Sequence, residues 1–138
     1  MPTLSVSPDL DPDLDALSAT HSADVGLIDA LIEELAGNDV VLATLSQDVP
    51  KWGHGTNAPF EIKRFHEAWN AGRRIYVLKP YDEDGQLIGF RVFIGHDVVT
   101  DEYFALSVQP RATCYDITTP EYRQLCKRYD DLDIPSAM

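Results

Sequence analysis

The sequence predicts an α+β fold in which N-terminal helices pack on a small antiparallel sheet of three or four strands, followed by a C-terminal helix. Apolar residues recur at helical spacing in the first part of the chain, and three strand-like runs follow within residues 74–108. Short turns separate these runs, and strands joined by such turns must be antiparallel. A chain of 138 residues is long enough to bury a core without staples.

Residues 1–22 are predicted to form an irregular acidic arm, and residues 23–138 a single domain. The arm contains the stretch SPDLDPDLDALS, in which Pro and Asp at close spacing disfavour a long helix. Residues 1–50 hold ten acids and no Lys or Arg, and so account for −10 of the net charge of −12. Three interpretations stay open: a solvating tail, a segment that lies over a basic site, or an arm that docks through its leucines.

The first helix is predicted from about residue 23 to residue 36. Ser22 can cap this helix, and Gly37 with Asn38 ends it. A second short helix over residues 39–46 would complete a helical hairpin that covers one face of the sheet. The apolar stripe of the first helix consists of Val25, Ile28, Leu31, Ile32 and Leu35.

Residues 48–59 are predicted to be a loop because of their Gly and Pro content. Lys51, Trp52 and His54 in this loop can contact a ligand, although a loop aromatic residue more often plugs the edge of a core. A third helix is predicted from Pro59 to Asn70, with an apolar side formed by Phe60, Phe65 and Trp69.

Three strands are predicted over residues 74–81, 87–99 and 103–108. The sequence DEDG at residues 82–85 is a strong turn signal between the first two strands. Gly95 is interpreted as a β-bulge within the second strand. In the first strand, Ile75, Val77 and Lys79 fall on one face, and Tyr76 and Leu78 on the other.

The last helix is predicted to begin with Thr119 as its cap and Pro120 at its first position. It contains three residues that can pack on the sheet, Tyr122, Leu125 and Tyr129. Its three basic residues, Arg123, Lys127 and Arg128, are expected to face outward.

The compartment is predicted to be the cytoplasm. Cys114 and Cys126 suggest a reducing environment in which both thiols are simply buried. The N-terminus lacks the features of a secretory signal, and no apolar run approaches the length of a membrane span. Neither the cysteine spacing nor the fragment HEAW at His66 fits a zinc site, so no metal or cofactor is predicted.

Cations and a phenol follow the predicted strands closely. Lys79 and Arg91 lie within strands, while Arg111 and Tyr115 follow the third strand. If the strands are neighbours, several of these groups converge on one surface. Arginines hold phosphate oxygens bidentately, and this chemistry suits a phosphodiester. Arg73, Arg74 and His96 are further candidates for RNA binding.

The fragments RRIYVLKPYDEDGQLIGFRVFIGHD and YFALSVQPRATCYD, taken in order, resemble the RelE/ParE-like toxin superfamily. The resemblance covers roughly residues 60–130. It matches Arg91 to the arginine of the family's central strand and Arg111 to the basic residue after the next strand. Tyr115 matches the tyrosine that follows, and Lys79 matches a lysine of the preceding strand in the RelE branch.

This resemblance implies a toxin that cleaves mRNA, often on the ribosome, and that a cognate antitoxin neutralises. The implied enzyme is a metal-independent endoribonuclease with Arg91, Arg111, Tyr115 and Lys79 as its catalytic residues. Clustered cations are expected to lower the pKa of Tyr115, so that it acts as a base or stacks on a nucleobase. Two alternatives stay open: a non-catalytic RelE-fold binding protein, and a ParE-like inhibitor of a topology enzyme.

The charge of the chain departs from this family. Ribosome-directed nucleases of the family are usually basic, whereas this chain has a calculated pI near 4.5. Phosphates repel an anionic surface. Either the basic face is small and local, or this member has lost ribosome cleavage.

Overall fold

The computed structural model describes residues 3–38, 42, 45, 60–82, 84–132 and 134. The predicted helix over residues 39–46 and the predicted loop over residues 48–59, with Lys51, Trp52 and His54, lie almost entirely outside the described residues. In chain order the elements are β1 (Thr3–Val6), α1 (Leu10–Ala36), β2 (Phe60–Arg64), α2 (His66–Asn70), β3 (Ile75–Pro80), β4 (Phe90–Asp97), β5 (Glu102–Pro110) and α3 (Pro120–Asp130).

The fold is α+β, as predicted, but its sheet has five strands instead of three or four. The strand order is β1-β5-β4-β3-β2. The strands β3, β4 and β5 pair antiparallel, as their short turns require, and β2 also pairs antiparallel with β3. In contrast, β1 pairs parallel to β5 and makes the sheet mixed. No described helix has the length and apolar character needed to cross a membrane.

Each face of the sheet buries its own apolar core. Strand alternation sends Tyr76 and Leu78 of β3 into the core that α1 covers, and sends Ile75 and Val77 into the opposite core. The second core is completed by α3 and by the segment that connects β5 to α3. The predicted division of β3 into two faces is therefore confirmed, and the sheet lies between two layers.

The prediction of an irregular N-terminal arm is wrong for the residues that the structure describes. Residues 3–6 form β1, whose register runs from Thr3↔Glu102 to Val6↔Ala105. Leu10 and Leu14 are buried against the sheet. Their burial outweighs the poor helix propensity of the Pro-Asp repeat, because propensity is a weak prior beside tertiary packing.

Helix α1 therefore begins well before the predicted start near residue 23. His21 has non-helical dihedrals (φ −134°, ψ 45°), so a kink separates the two parts of the helix near the predicted start. The predicted end at Gly37 is confirmed, because the Gly37 amide donates to the carbonyl oxygens of Glu33 and Glu34. All five residues of the predicted apolar stripe are buried.

The predicted helix from Pro59 to Asn70 is also wrong in its first half. Residues 60–64 form β2, an edge strand paired antiparallel with β3 from Phe60↔Pro80 to Arg64↔Tyr76. Phe60 and Ile62 are buried at a spacing of two, which is the strand period. Helix begins only at His66, and α2 is a short turn of five residues.

The prediction of a bulge at Gly95 is wrong, because Gly95 pairs regularly with Phe104 and the bulge lies in the neighbouring strand β5. The β4–β5 register passes from Phe93↔Ser107 to Ile94↔Ala105, so Leu106 is the extra residue. Gly95 instead gives room to an aromatic ring. A Cβ at this position would lie 3.1 Å from Leu106 Cδ1 and 3.1 Å from Tyr129 Cδ2.

We expect Gly95→Ala to lower the free energy of unfolding by about 1–3 kcal/mol, the usual cost of overpacking a core. The matched control is Gly89→Ala, because a Cβ at Gly89 meets nothing within 4 Å. Denaturant unfolding of both variants measures the difference. Equal stability of the two would mean that Tyr129 and Leu106 yield without cost.

The predicted start of the last helix is confirmed. The Thr119 hydroxyl accepts a hydrogen bond from the Tyr122 amide at 3.2 Å, and Pro120 occupies the first turn. The outward position predicted for Arg128 is wrong, because its side chain is 12% exposed. Its Nη1 donates to Asp13 Oδ2 at 2.7 Å and to the Leu106 carbonyl at 2.8 Å, so Arg128 joins α3 to α1 and β5. Both cysteines are free and buried, as predicted.

Candidate functional site

Strand alternation brings three cationic side chains to one face of the sheet. Lys63 lies opposite Val77 in the β2–β3 register, and Lys79 follows Val77 by two residues. Arg91 precedes Phe93 by two residues, and Phe93 pairs with Val77. All three side chains therefore leave the sheet on the side of the Val77 core, next to one another on β2, β3 and β4.

The segment after β5 adds Arg111 and Tyr115 to this face. A tight turn follows Pro110, whose carbonyl accepts hydrogen bonds from the amides of Thr113 and Cys114. The Arg111 amide donates to the Gly89 carbonyl at 2.9 Å, which ties the turn to the start of β4. The turn directs the chain back over the sheet, so that Lys63 Nζ lies 4.4 Å from the centroid of the Tyr115 ring.

We call Lys63, Lys79, Arg91, Arg111 and Tyr115 the cationic cluster. Partial burial lowers the pKa of Lys79, and the nearby cations Lys63, Arg91 and Arg111 lower it further. Glu61 is the acidic neighbour, and it accepts a hydrogen bond from the Tyr81 hydroxyl at 2.8 Å. Among the described residues, no ion pair to a carboxylate involves any of the four cations.

Arg91 is the most unusual member, because its side chain is buried at 3% exposure. Its Nη1 donates to the carbonyls of Ile88 at 2.8 Å and Phe90 at 3.0 Å. Its Nε is buried without a hydrogen-bond partner in the described part of the chain. No carboxylate pairs with Arg91 among the described residues, and a buried charge is costly when it is unpaired, so an anion would stabilise this guanidinium.

Tyr115 does not have the lowered pKa that the sequence predicted. Burial raises its pKa above the ordinary value, and the neighbouring Cys114 adds to this, while the Arg91 guanidinium only opposes the shift. Its buried hydroxyl has no hydrogen-bond partner among the described residues, and its ring packs edge-on against Phe65. Tyr115 is therefore a protonated donor near neutral pH, and it is poorly suited to act as a base.

The pKa of Lys79 is shifted downward instead. Partial burial is the largest cause, and the Lys63 ammonium is the next, while the Glu61 carboxylate opposes both. A lysine with a lowered pKa exchanges its proton nearer to neutral pH. The proton-transfer chemistry that the sequence assigned to Tyr115 thus fits Lys79 better.

Arg74 and His96 lie on the opposite face of the sheet. Arg74 Nε donates to His96 Nδ1 at 2.9 Å, and the Arg74 guanidinium lies 4.7 Å from the Trp69 ring. His96 is 2% exposed and stacks on Tyr103 with ring centroids 4.1 Å apart. These contacts bury His96 and engage the half-buried Arg74, and they do not support the predicted contact of either residue with RNA. Arg73 lies elsewhere, in a bidentate pair with Asp130.

We expect the folded chain to lose stability as the pH falls through the titration range of His96. Burial lowers the pKa of His96, and the Arg74 guanidinium adds to this, while Asp101 opposes it through a contact at 3.1 Å. As the pH falls, the unfolded chain therefore takes up a proton on His96 at a higher pH than the folded chain does. The stability that neutral His96 contributes is complete above the unfolded pKa of about 6.5, and it is lost as the pH falls from there through the lower pKa of the folded chain. Unfolding free energies between neutral and mildly acidic pH should fall more steeply in the wild type than in His96→Gln. Parallel profiles would contradict this expectation.

Sequence reasoning missed Lys63 because residues 60–64 resembled part of a helix. The alternation in FEIKR, with Phe60 and Ile62 apolar at a spacing of two, was the available signal. In the described part of the chain, no group of three His, Cys, Asp or Glu side chains is arranged to hold a metal ion.

Comparison with known proteins identifies no similar protein. No protein-family model matches the chain, and searches of curated proteins and of solved structures found no significant match. The functional interpretation therefore depends on the geometry described above.

Proposed function

We propose that this protein is a RelE-like endoribonuclease toxin that cleaves mRNA at the cationic cluster and is neutralised by a cognate antitoxin. The observation that carries the proposal is the buried guanidinium of Arg91, which has no carboxylate partner among the described residues and lies beside three further cations and a phenol. Such a group favours a ligand with concentrated negative charge, and a phosphodiester provides it.

The roles follow from exposure and charge. Arg111 is exposed, and we assign it to the first contact with a phosphate oxygen. Arg91 is fixed by two carbonyls and supplies a positive charge that needs no rearrangement when charge builds up on the phosphorane. The protonated hydroxyl of Tyr115 donates to a phosphoryl oxygen.

The reaction that fits these groups is attack by the RNA's own 2′-hydroxyl. Lys79, whose pKa is lowered, accepts the proton of the 2′-hydroxyl as the oxygen bonds to phosphorus. The bond between phosphorus and the 5′-oxygen breaks, and the Lys63 ammonium protonates this leaving oxygen. The products are a 2′,3′-cyclic phosphate and a 5′-hydroxyl, so protons and bonds balance without a further reactant.

The acidity of the chain is compatible with this proposal because the charge is segregated. The ten acids of residues 1–50 fall mainly in α1, which covers the other face of the sheet. The cationic cluster holds four of the chain's eleven Lys and Arg residues. Screening over a Debye length of ~8–10 Å in physiological salt further separates the two regions.

A second candidate is a RelE-fold module that binds RNA without cleaving it. The deep burial of Arg91 favours this candidate, because this guanidinium is less accessible than the groups of an open catalytic site. The raised pKa of Tyr115 also favours it, because a protonated phenol binds a phosphate but does not accept a proton. A ParE-like inhibitor of a topology enzyme has no specific observation in its favour.

The test is incubation of the purified chain with a single-stranded RNA and, in parallel, with the same RNA carrying 2′-deoxy sugars. Cleavage of the first alone, with cyclic phosphate and 5′-hydroxyl ends, would support the proposal. Lys79→Met should abolish cleavage while retaining binding, and expression in cells should arrest growth with cut transcripts. Binding without cleavage would favour the second candidate, and neither binding nor cleavage would overturn both.

A further inference from the structure

A groove along α3 is lined by more cationic than acidic side chains, in contrast to the net negative charge of the whole chain. It has a volume of about 460 Å³ and is lined by Arg73, Ile117, Tyr122, Arg123, Cys126, Lys127 and Asp130. Three cations and one carboxylate give this lining a net charge of +2. The protein as a whole carries −12.

Two other cavities serve as internal comparisons. One, of about 200 Å³ between α1 and the start of α3, has the carboxylates of Asp13 and Glu121 and no Lys or Arg among its described lining residues. Another, of about 560 Å³ beside the β3–β4 turn, has Asp24, Asp82 and Asp84 in its lining, and the residues that the structure describes there likewise include no Lys or Arg. The α3 groove is thus the one of these three that attracts an anion.

The cations of the α3 groove are not equally available. Arg73 is held by Asp130, and Lys127 Nζ lies 2.8 Å from Asp131 Oδ2. Arg123 is different, because its Nη1 donates only to the Thr118 carbonyl at 3.2 Å, and no carboxylate pairs with it among the described residues. Arg123 is exposed and has no carboxylate partner among the described residues, so it is the cation of this lining most available to a phosphate.

The groove also offers apolar surface of the kind that a nucleobase covers. Ile117 is 48% exposed, and the half-buried Tyr122 ring lies beside it in the lining. Bases stack on such surfaces with little sequence preference. A groove that combines guanidinium groups with an aromatic ring matches the pattern of proteins that bind single strands.

The groove adjoins the cationic cluster. The centroid of the Phe65 ring lies 6.0 Å from that of Tyr115 and 5.6 Å from that of Tyr122, so the centroids of the two tyrosine rings are within about 12 Å of each other. The same connecting segment carries Tyr115 over the sheet and Ile117 to the groove. Hydrogen bonds from the Thr118 amide and hydroxyl to Asp116 Oδ1 hold this segment in place.

We infer that the α3 groove binds the nucleotides of a single-stranded RNA that flank the phosphodiester held in the cationic cluster. The inference rests on the proposed function and extends it, because it makes the substrate a single strand several nucleotides long. Duplex RNA is a poor fit, since bases that stack on Tyr122 and Ile117 must be unpaired.

The experiment measures the affinity of the full chain for a trinucleotide and for a nonanucleotide of single-stranded RNA by fluorescence anisotropy at several salt concentrations. We expect Arg123→Ala to weaken binding of the nonanucleotide several-fold and to leave the trinucleotide unchanged. The salt slope for the longer RNA should decrease by about 0.7, the value for one phosphate contact on a single strand. Arg123→Lys should restore part of the affinity.

Two controls separate the inference from the proposed function. Arg64→Ala removes one positive charge on the other face of the sheet, where Arg64 lies 4.5 Å from the Trp69 ring, and should not change either affinity. Arg111→Ala should weaken the binding of both RNAs. If it changes neither affinity, the proposed function fails. Suppose that Arg111→Ala weakens the binding of both RNAs, while Arg123→Ala changes neither affinity or changes the two affinities equally. Only the inference about the groove is then overturned.

Discussion

Replacing Arg111 by alanine is expected to lower the rate of RNA cleavage by about 10²–10³-fold, the usual cost of removing one preorganised group that stabilises charge in a transition state. The side chain of Arg111 is exposed, and the hydrogen bond that holds this residue comes from its main-chain amide to the Gly89 carbonyl. Alanine keeps that bond. The change in the free energy of unfolding should therefore stay within about 0.5 kcal/mol.

Cleavage rates and thermal melting of the same preparation check this prediction. Arg64→Ala is the matched control, because it removes one positive charge from the other face of the sheet, where Arg64 lies 4.5 Å from the Trp69 ring, and not from the cationic cluster. Its cleavage rate at saturating RNA should remain close to that of the wild type. A loss of melting temperature in Arg111→Ala that parallels the loss of activity would assign Arg111 to the scaffold.

Deleting residues 1–22 is expected to unfold the protein or make it insoluble. The deletion removes β1 from the edge of β5, removes the buried Leu10 and Leu14, and leaves Arg128 without Asp13. Each buried leucine contributes about 2–5 kcal/mol, whereas whole domains are stable by only about 5–15 kcal/mol. The loss is comparable to the entire stability of the fold.

Soluble yield and far-ultraviolet circular dichroism of the truncated chain provide the measurement. A point variant measures the contribution of one buried side chain: Leu10→Ala should lower the free energy of unfolding by about 2–5 kcal/mol. Its control is Ala19→Ser, on the exposed side of the same helix, which should change this free energy little. A folded truncated chain with tighter RNA binding at low salt would contradict this prediction. That result would restore the interpretation of residues 1–22 as an acidic arm over a basic site.

The parts of the fold that the sequence predicted well depend on local signals. The Asp and Gly residues at 82–85 predict a turn by themselves. The Asp82 carboxylate accepts hydrogen bonds from the amides of Asp84 and Gln86 in that turn. Thr119 and Pro120 mark the start of α3 in the same local way. The alternation in β3 correctly separated Val77 and Lys79 from Tyr76 and Leu78, because strand period is a property of the backbone.

The errors concern segments whose structure depends on a distant partner. β1 gains its hydrogen bonds from β5, about a hundred residues later, and β2 exists because β3 offers it an edge. A Pro-Asp repeat and a short FEIKR run do not contain that information. Lys63 was missed for the same reason, its dependence on a distant partner. Its ammonium lies over the Tyr115 ring only because β2 pairs with β3.

Residue patterns alone were enough to predict the α+β class, the antiparallel order of β3, β4 and β5, and the cap of α3. They also indicated four candidate residues, Lys79, Arg91, Arg111 and Tyr115. Tertiary structure decided which of the predicted polar groups meet: it gathered these four with Lys63 and moved Arg74 and His96 to the opposite face. Burial in the folded chain also raised the pKa of Tyr115 and lowered that of Lys79. The physical reason is that local chemistry sets turns, caps and strand faces, whereas burial and the distance between charges exist only after distant strands have paired.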